Sequence, residues 1–299
     1  MKSSRRQFYA LMRLLKVTQT VRLIRRKLIY PLRRSWLDPA QRSASIHIFH
    51  CTIQKAGSQW IKQIFSDART FEYSGLAPFS YYKHIGGDDP RKLTERTIEM
   101  QFPRYTIVTP LYLDFTSFQT IPKSENYKAF FIMRDPRDLV VSWYFSTKYS
   151  HRLNHTIARH RAELNRLSEI KGLIYAIDYL EEVGIFPTLR SWVPAPQTDP
   201  NVLLVRFEDL IAPDNFKIYQ QLFSHCDIRL PENLLVQILN DYSFKKLKSR
   251  ESQQKESEKR HYRKGKAGDW KNYFDEPVLK HFEATTGDLV QYLGYPHNY

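Results

Sequence analysis

Cysteine is scarce in this chain: Cys51 and Cys226 are the two present in 299 residues. Neither stands at metal-ligand spacing, and two thiols make no disulfide framework. The expected setting is therefore a reducing compartment, with the cytoplasm as the default. Long apolar runs are absent too. No stretch approaches the roughly 18–20 residues needed to span a bilayer. Arg13, Lys16 and Arg22 break up the N-terminal apolar residues where a signal peptide would keep them together. No internal repeat is visible. Carboxylates are missing from the first 34 positions, which hold eleven Lys and Arg; Asp38 is the first. Of the net charge of +15, the remaining 265 residues carry only +4.

Basicity is thus a property of an N-terminal arm, residues 1–42, set before a domain of residues 43–299. In the arm Val17, Val21, Ile24 and Leu28 recur at helical spacing beside Arg22, Arg25 and Arg26, and Phe8, Leu11 and Leu15 extend the pattern upstream. Such a helix either lies on an anionic membrane surface or docks on the body and solvates its charges. Nucleic acid is the weaker reading, because basicity alone is a non-specific footprint.

After the arm, Ile46–Ile53 reads as a strand that stops at a loop, Lys55–Gln59. Ser58 then opens a helix through Trp60, Ile61, Ile64 and Phe65. Residues 71–104 read as loop-rich. A short strand at Tyr105–Thr109 is expected to end at Pro110. Lys128–Arg134 is a buried strand, and Pro136 begins a helix through Phe145, where its missing N–H costs nothing. Residues 147–170 are polar and rich in His and Arg. Leu173–Val183 is a helix, Asn201–Phe207 a fourth strand, two helical segments end near Lys246, and residues 248–262 read as a mobile flap. Strands that are continuous apolar runs, alternating with helices, predict a single α/β domain whose central parallel β-sheet is flanked by helices on both faces.

Three segments carry the chemistry. In Lys55-Ala56-Gly57-Ser58-Gln59-Trp60 a strand runs through a Gly-containing loop into a helix, so successive N–H groups and the helix end converge on one point, an anion cradle. A nucleoside-triphosphate P-loop needs Lys after the last Gly of G-x-x-x-x-G-K-[ST]; here Lys55 precedes Gly57, and that reading fails on spacing. Arg134 closes a buried strand, at the edge where open α/β sheets bind ligands. Ser142 follows eight residues later on the helical face that carries Asp138, and Arg with Ser is a fitting donor set for a phosphate. Arg263-Lys264-Gly265 joins two cations to a permissive backbone, with Gly268-Asp269-Trp270 close behind. Taken singly, each has a bland alternative: a tight turn, a local ion pair, a basic surface loop.

Together and in this order the segments resemble the donor site of the cytosolic-type sulfotransferase family, which uses 3′-phosphoadenosine 5′-phosphosulfate (PAPS), and within it the bacterial members. The similarity runs from about Ile46 to Tyr295. Lys55–Trp60 is similar to the family's K-S-G-T-T-W phosphosulfate loop, Arg134 with Ser142 to its 3′-phosphate segment, and Arg263–Trp270 with Lys271-Asn272 to its R-K-G-x-x-G-D-W-K-N stretch. Phe207-Glu208-Asp209 resembles its Y-E-D segment, and Tyr242-Ser243-Phe244 its T-S-F segment.

The resemblance implies a P-loop-like phosphosulfate loop and a metal-independent, in-line transfer of a sulfuryl group to a hydroxyl or amine. Lys55 would stabilise charge on the leaving phosphate, while Ala56, Gly57, Ser58 and Gln59 hold the 5′-phosphate. Arg134, Ser142, Arg263, Lys264 and Gly265 would hold the 3′-phosphate. Trp60, Phe207 and Phe244, with Ser243 beside them, would flank the adenine. Departures from the family pattern are Ala56 for Ser, Gln59 for Thr and Phe207 for Tyr. The family's general-base His is missing, its place taken by Val108. Asp114 is the candidate base and His84 the second. A nucleotide- or glycan-binding module that kept the donor cleft and lost catalysis is the other reading. The acceptor stays open between a small molecule or lipid, suited by Tyr73, Phe79, Tyr81 and Tyr82, and a glycan, suited by His151, His155 and His160.

Overall fold

The computed structural model describes residues 23–243, 245–247, 249 and 266–296. Its centre is a five-stranded sheet in the order β2-β3-β1-β4-β5, with every neighbouring pair parallel. The strands are β1 (His47–Thr52), β2 (Ala77–Phe79), β3 (Thr106–Tyr112), β4 (Tyr127–Met133) and β5 (Val202–Arg206). Every residue of β1 and β3 is buried. Strands covered on both faces have no solvent side for polar residues, which is why they read as apolar runs without alternation.

The helices that position the site are α1 (Tyr30–Ser35), α2 (Ser58–Phe65), α3 (Phe115–Thr120), α4 (Pro136–Phe145), α5 (Glu169–Glu182) and α6 (Phe207–Ile211). From β1 the chain moves outward to β2 and β3, then crosses back to β4 on the other side of β1. That reversal makes the carboxyl ends of β1 and β4 the switch point, where a crevice opens in such sheets.

Five expectations change. The strand predicted to end at Pro110 continues to Tyr112, because the register of β1 against β3 jumps from Phe49↔Val108 to Cys51↔Leu111. Two residues, Thr109 and Pro110, thus face one, and this bulge accommodates a proline that has no N–H for the ladder. Edge strand β2 lies inside the segment read as loop, being three residues long with Pro78 at its centre. Asn201–Phe207 contains the fifth strand, not the fourth. Within the polar stretch 147–170 the structure has a helix, His155–Arg166, that buries only His160 and Leu164. Helices Phe207–Ile211, Phe216–His225 and Glu232–Asp241, and helical residues 245–247, stand where two segments were expected.

Candidate donor-nucleotide site

The loop after β1 is built for close approach. Lys55 has φ +72° and Gly57 φ +77°, two left-handed residues that fold the chain tightly into the start of α2. A side chain on Gly57 would place its Cβ 2.7 Å from the Phe207 ring, so both the backbone angle and the packing require glycine here. Ile61, Ile64 and Phe65 of α2 are buried and fix the helix on the sheet. Its first-turn N–H groups, which have no intrahelical acceptors, are thereby held at the switch point.

Arg134 joins the second segment to the first. Its Nη1 donates to the Lys55 carbonyl at 2.9 Å, and its guanidinium lies 4.6 Å from the centre of the Phe207 ring. Nη2 is 3.8 Å from the Asp138 carboxylate, while the buried Nε has no hydrogen-bond partner. Ser142, half-buried, sits one turn beyond Asp138 on α4.

Asp138 brings in the third segment. Its carboxylate accepts the backbone N–H of Gly268 at 2.8 Å and of Trp270 at 2.9 Å. Burial raises its pKa, opposed by Arg134 and the two N–H donors. Arg137 supports the same junction: it pairs with Asp135 at 2.7 Å, stacks 3.7 Å from the Trp270 ring and donates to the Pro296 carbonyl. Glu208 of α6 accepts from the Asp135 N–H and from the Tyr295 hydroxyl, so the Phe207-Glu208-Asp209 segment is tied to the same helix start. Trp60 Nε1 donates to the Tyr242 carbonyl at 2.7 Å, which brings Ser243 beside α2, and the Trp60 ring stands edge-on to Phe207 at 6.2 Å. Phe244, Arg263, Lys264 and Gly265 lie outside the described residues.

Tyr112, at the extended end of β3, was not singled out from the sequence because the strand was expected to stop at Pro110. Its hydroxyl is 2.8 Å from Ser58 Oγ and accepts from Gln59 Nε2 at 3.3 Å. Arg96 Nη1 donates to its carbonyl at 2.9 Å, and Tyr82 receives its N–H. Burial raises the Tyr112 pKa, keeping the phenol neutral. Ala56 is buried and Gln59 exposed.

Asp114, the candidate base, is an N-cap in the structure. Its side chain accepts the Ser117 N–H at 2.8 Å and caps α3, a local role that accounts for its burial. His84 sits by the β2 edge, its ring 5.7 Å from Phe79. His160 is a core residue, bonded to the Tyr175 hydroxyl at 2.7 Å, and so does not belong to an acceptor surface. His151 is exposed to solvent, yet its pKa is lowered, first by the surrounding protein and then by the charge of Lys55. Among the described residues no group of three His, Cys, Asp or Glu is placed to hold a metal ion.

Comparison with curated proteins finds no match. Among solved structures, mouse sulfotransferase SULT7A1 complexed with PAP is similar at 17% identity and a TM-score of 0.55, over 89% of this chain and 90% of that one. Retinol dehydratase in complex with androsterone and the inactive cofactor PAP is similar at 15% identity and a TM-score of 0.52, over 90% and 87%. The same enzyme with retinol and PAP gives 17% and 0.51, over 91% and 88%. At these identities the likeness carries the fold. The family rests on the model of the sulfotransferase domain, which matches residues 45–294, most of the α/β body just described: the chain belongs to the sulfotransferase domain family.

Proposed function

We propose that this chain transfers a sulfuryl group from PAPS to a hydroxyl or amine of an acceptor. The observation that carries the reading is the bond from Arg134 Nη1 to the Lys55 carbonyl, which sets a phosphate-binding loop and an arginine side by side at the switch point. The donor set suits a nucleotide with phosphates at both ends. A glycine-lined turn at a helix start faces one anion, and a buried guanidinium with an unused Nε faces a second.

In this assignment Lys55 neutralises charge building on the phosphate oxygen as its bond to sulfur breaks. The N–H groups of Gly57 and Ser58 and the Ser58 hydroxyl, itself oriented by Tyr112, hold the 5′-phosphate. Arg134 and Ser142 hold the 3′-phosphate, with Arg263, Lys264 and Gly265 continuing that site. Trp60 and Phe207 flank the base. The acceptor oxygen bonds to sulfur as the phosphate leaves, and its proton passes to a base. With Asp114 occupied as a helix cap, we assign that role to His151, whose lowered pKa leaves the imidazole neutral near pH 7, the state that accepts a proton.

The retinol- and androsterone-bound relatives favour a small-molecule acceptor over a glycan. Calorimetry with adenosine 3′,5′-bisphosphate against 5′-AMP tests the donor site, and transfer from labelled PAPS to a panel of alcohols and phenols tests the enzyme. Strong preference for the bisphosphate with turnover that Lys55→Ala abolishes is the expected result. Preference without any turnover would leave the binding-module reading, and equal binding would overturn both.

A further inference from the structure

The helical stretch Arg25–Ser35, a π-helical turn running into α1, is amphipathic in the opposite sense from an ordinary surface helix. Its arginines face the body. The Arg26 guanidinium is 5.5 Å from the Phe79 ring, and that of Arg33 is 4.5 Å from Phe71 and 3.9 Å from Glu72. Arg34 stacks on Tyr105 at 3.9 Å and donates to the Ser74 carbonyl at 2.9 Å, in a space that exists because Gly75 has no Cβ. Ile24, Leu28, Leu32 and Trp36, spaced by four, are 44, 65, 52 and 58% exposed, a single apolar stripe turned to solvent. Docking on the body therefore leaves the apolar face outward, and the two alternatives posed for the arm hold together for this stretch.

We propose that this stripe seats on an anionic membrane surface. Charge complementarity selects that partner: the first 34 residues hold eleven cations and no carboxylate, and exposed Lys27 lies beside the stripe. Trp36 at one end has the form of an interfacial anchor. Beside the helix, a cavity of about 640 Å³ is lined by Leu23 next to the stripe, by Arg25, Arg26, Lys62 and Lys83, and by the apolar ring of Phe79. Among the described residues no Asp or Glu lines it. The cations of this cavity suit an acidic lipid headgroup, and exposed Leu23 joins it to the stripe, so both point to the same partner.

The test is co-sedimentation of the full chain with vesicles of phosphatidylcholine alone or mixed with phosphatidylglycerol, at low and high salt. Leu28→Glu/Leu32→Glu is the variant; both side chains are exposed, and unchanged bisphosphate binding confirms its fold. The expected result is binding to the mixed vesicles only, weakened by salt and reduced about tenfold or more in the variant. Three outcomes overturn the proposal. The chain fails to bind either vesicle; the variant binds as well as the parent, which assigns membrane contact to residues 1–22 alone; or the parent self-associates in sedimentation velocity through the stripe and ignores lipid.

Discussion

Asp138 and Gly268 are 130 positions apart, and the backbone N–H of one meets the carboxylate of the other at 2.8 Å. With the second bond to Trp270, this junction fixes where the C-terminal segment meets α4. Asp138→Ala strands the buried N–H of Trp270, at about 1–3 kcal/mol, and the partly buried N–H of Gly268, at less. The expected outcome is a loss of about 2–5 kcal/mol in urea unfolding, with Asp138→Asn, which keeps one acceptor, losing less. Affinity for adenosine 3′,5′-bisphosphate should fall further than affinity for 5′-AMP, since Arg263–Gly265 lead into Gly268. Equal losses for the two nucleotides would separate this junction from the 3′-phosphate.

Gly57 and Phe207 make a second coupled pair. Gly57→Ala forces a Cβ to within 2.7 Å of the Phe207 ring at a φ of +77°. Adding Phe207→Ala removes the clash and leaves the left-handed angle, worth about 1–2 kcal/mol. A double-mutant cycle in urea should therefore show a favourable coupling of about 1 kcal/mol or more relative to the summed single effects. Nucleotide binding should not recover with stability if Phe207 flanks the base as proposed.

The local backbone geometry at Lys55–Trp60, Arg134–Arg137 and Gly268–Trp270 was legible because neighbouring residues fix it. A strand, a glycine turn and a helix start are encoded by neighbouring residues, as are an Arg-Asp-Pro helix start and a Gly-Asp-Trp turn. What joins them was not legible. Asp138 shows in the sequence only as a position on a helical face, and its partners lie 130 and 132 positions away. Tyr112 was hidden by Pro110, a strand breaker that the β1–β3 bulge absorbs. Asp114 drew attention as the first carboxylate past a strand, although a carboxylate three residues before Ser117 is equally a helix cap. Over residues 23–35, the part of the arm among the described residues, the chain is helical as the spacing predicted, but periodicity alone does not say which face meets the body. Arg34 found its place through Tyr105 and Gly75, and neither appears in the arm's own sequence.

The base assignment is separable by kinetics. His151→Asn should lower kcat by about a hundredfold with bisphosphate affinity unchanged, within the usual span for a general base. For the parent, activity should be constant at neutral pH and fall as the medium is acidified through a pKa below 6.5, where Lys55 and the surrounding protein no longer keep the imidazole deprotonated. That acid limb should vanish in the variant. Asp114→Asn, whose amide oxygen can still accept the Ser117 N–H, should instead keep both kcat and most of the stability, whereas Asp114→Ala should cost about 1 kcal/mol as a lost cap. A large kcat loss in Asp114→Asn with an intact His151 limb would return the role to the carboxylate.

His50 sets a pH dependence of stability that is independent of catalysis. It is fully buried, stacked on Phe130 at 4.9 Å, with Nδ1 2.8 Å from Thr109 Oγ1 and no partner for Nε2. Burial, with a smaller push from Lys62, lowers its pKa to about 3 from 6.5. The folded protein therefore excludes a proton that the unfolded chain binds below pH 6.5. Stability is complete above that value and declines as the pH falls towards 3. Between pH 7 and pH 5 the loss from this one group is about 2 kcal/mol. His50→Gln, which keeps a polar contact for Thr109 and carries no titratable proton, should flatten the urea-midpoint profile over that interval by about this amount. A residual slope should remain, because burial also lowers the pKa of His47 and His225. If the profile of the variant ran parallel to that of the parent, the acid sensitivity would belong to those histidines and His50 would already be neutral in the unfolded ensemble.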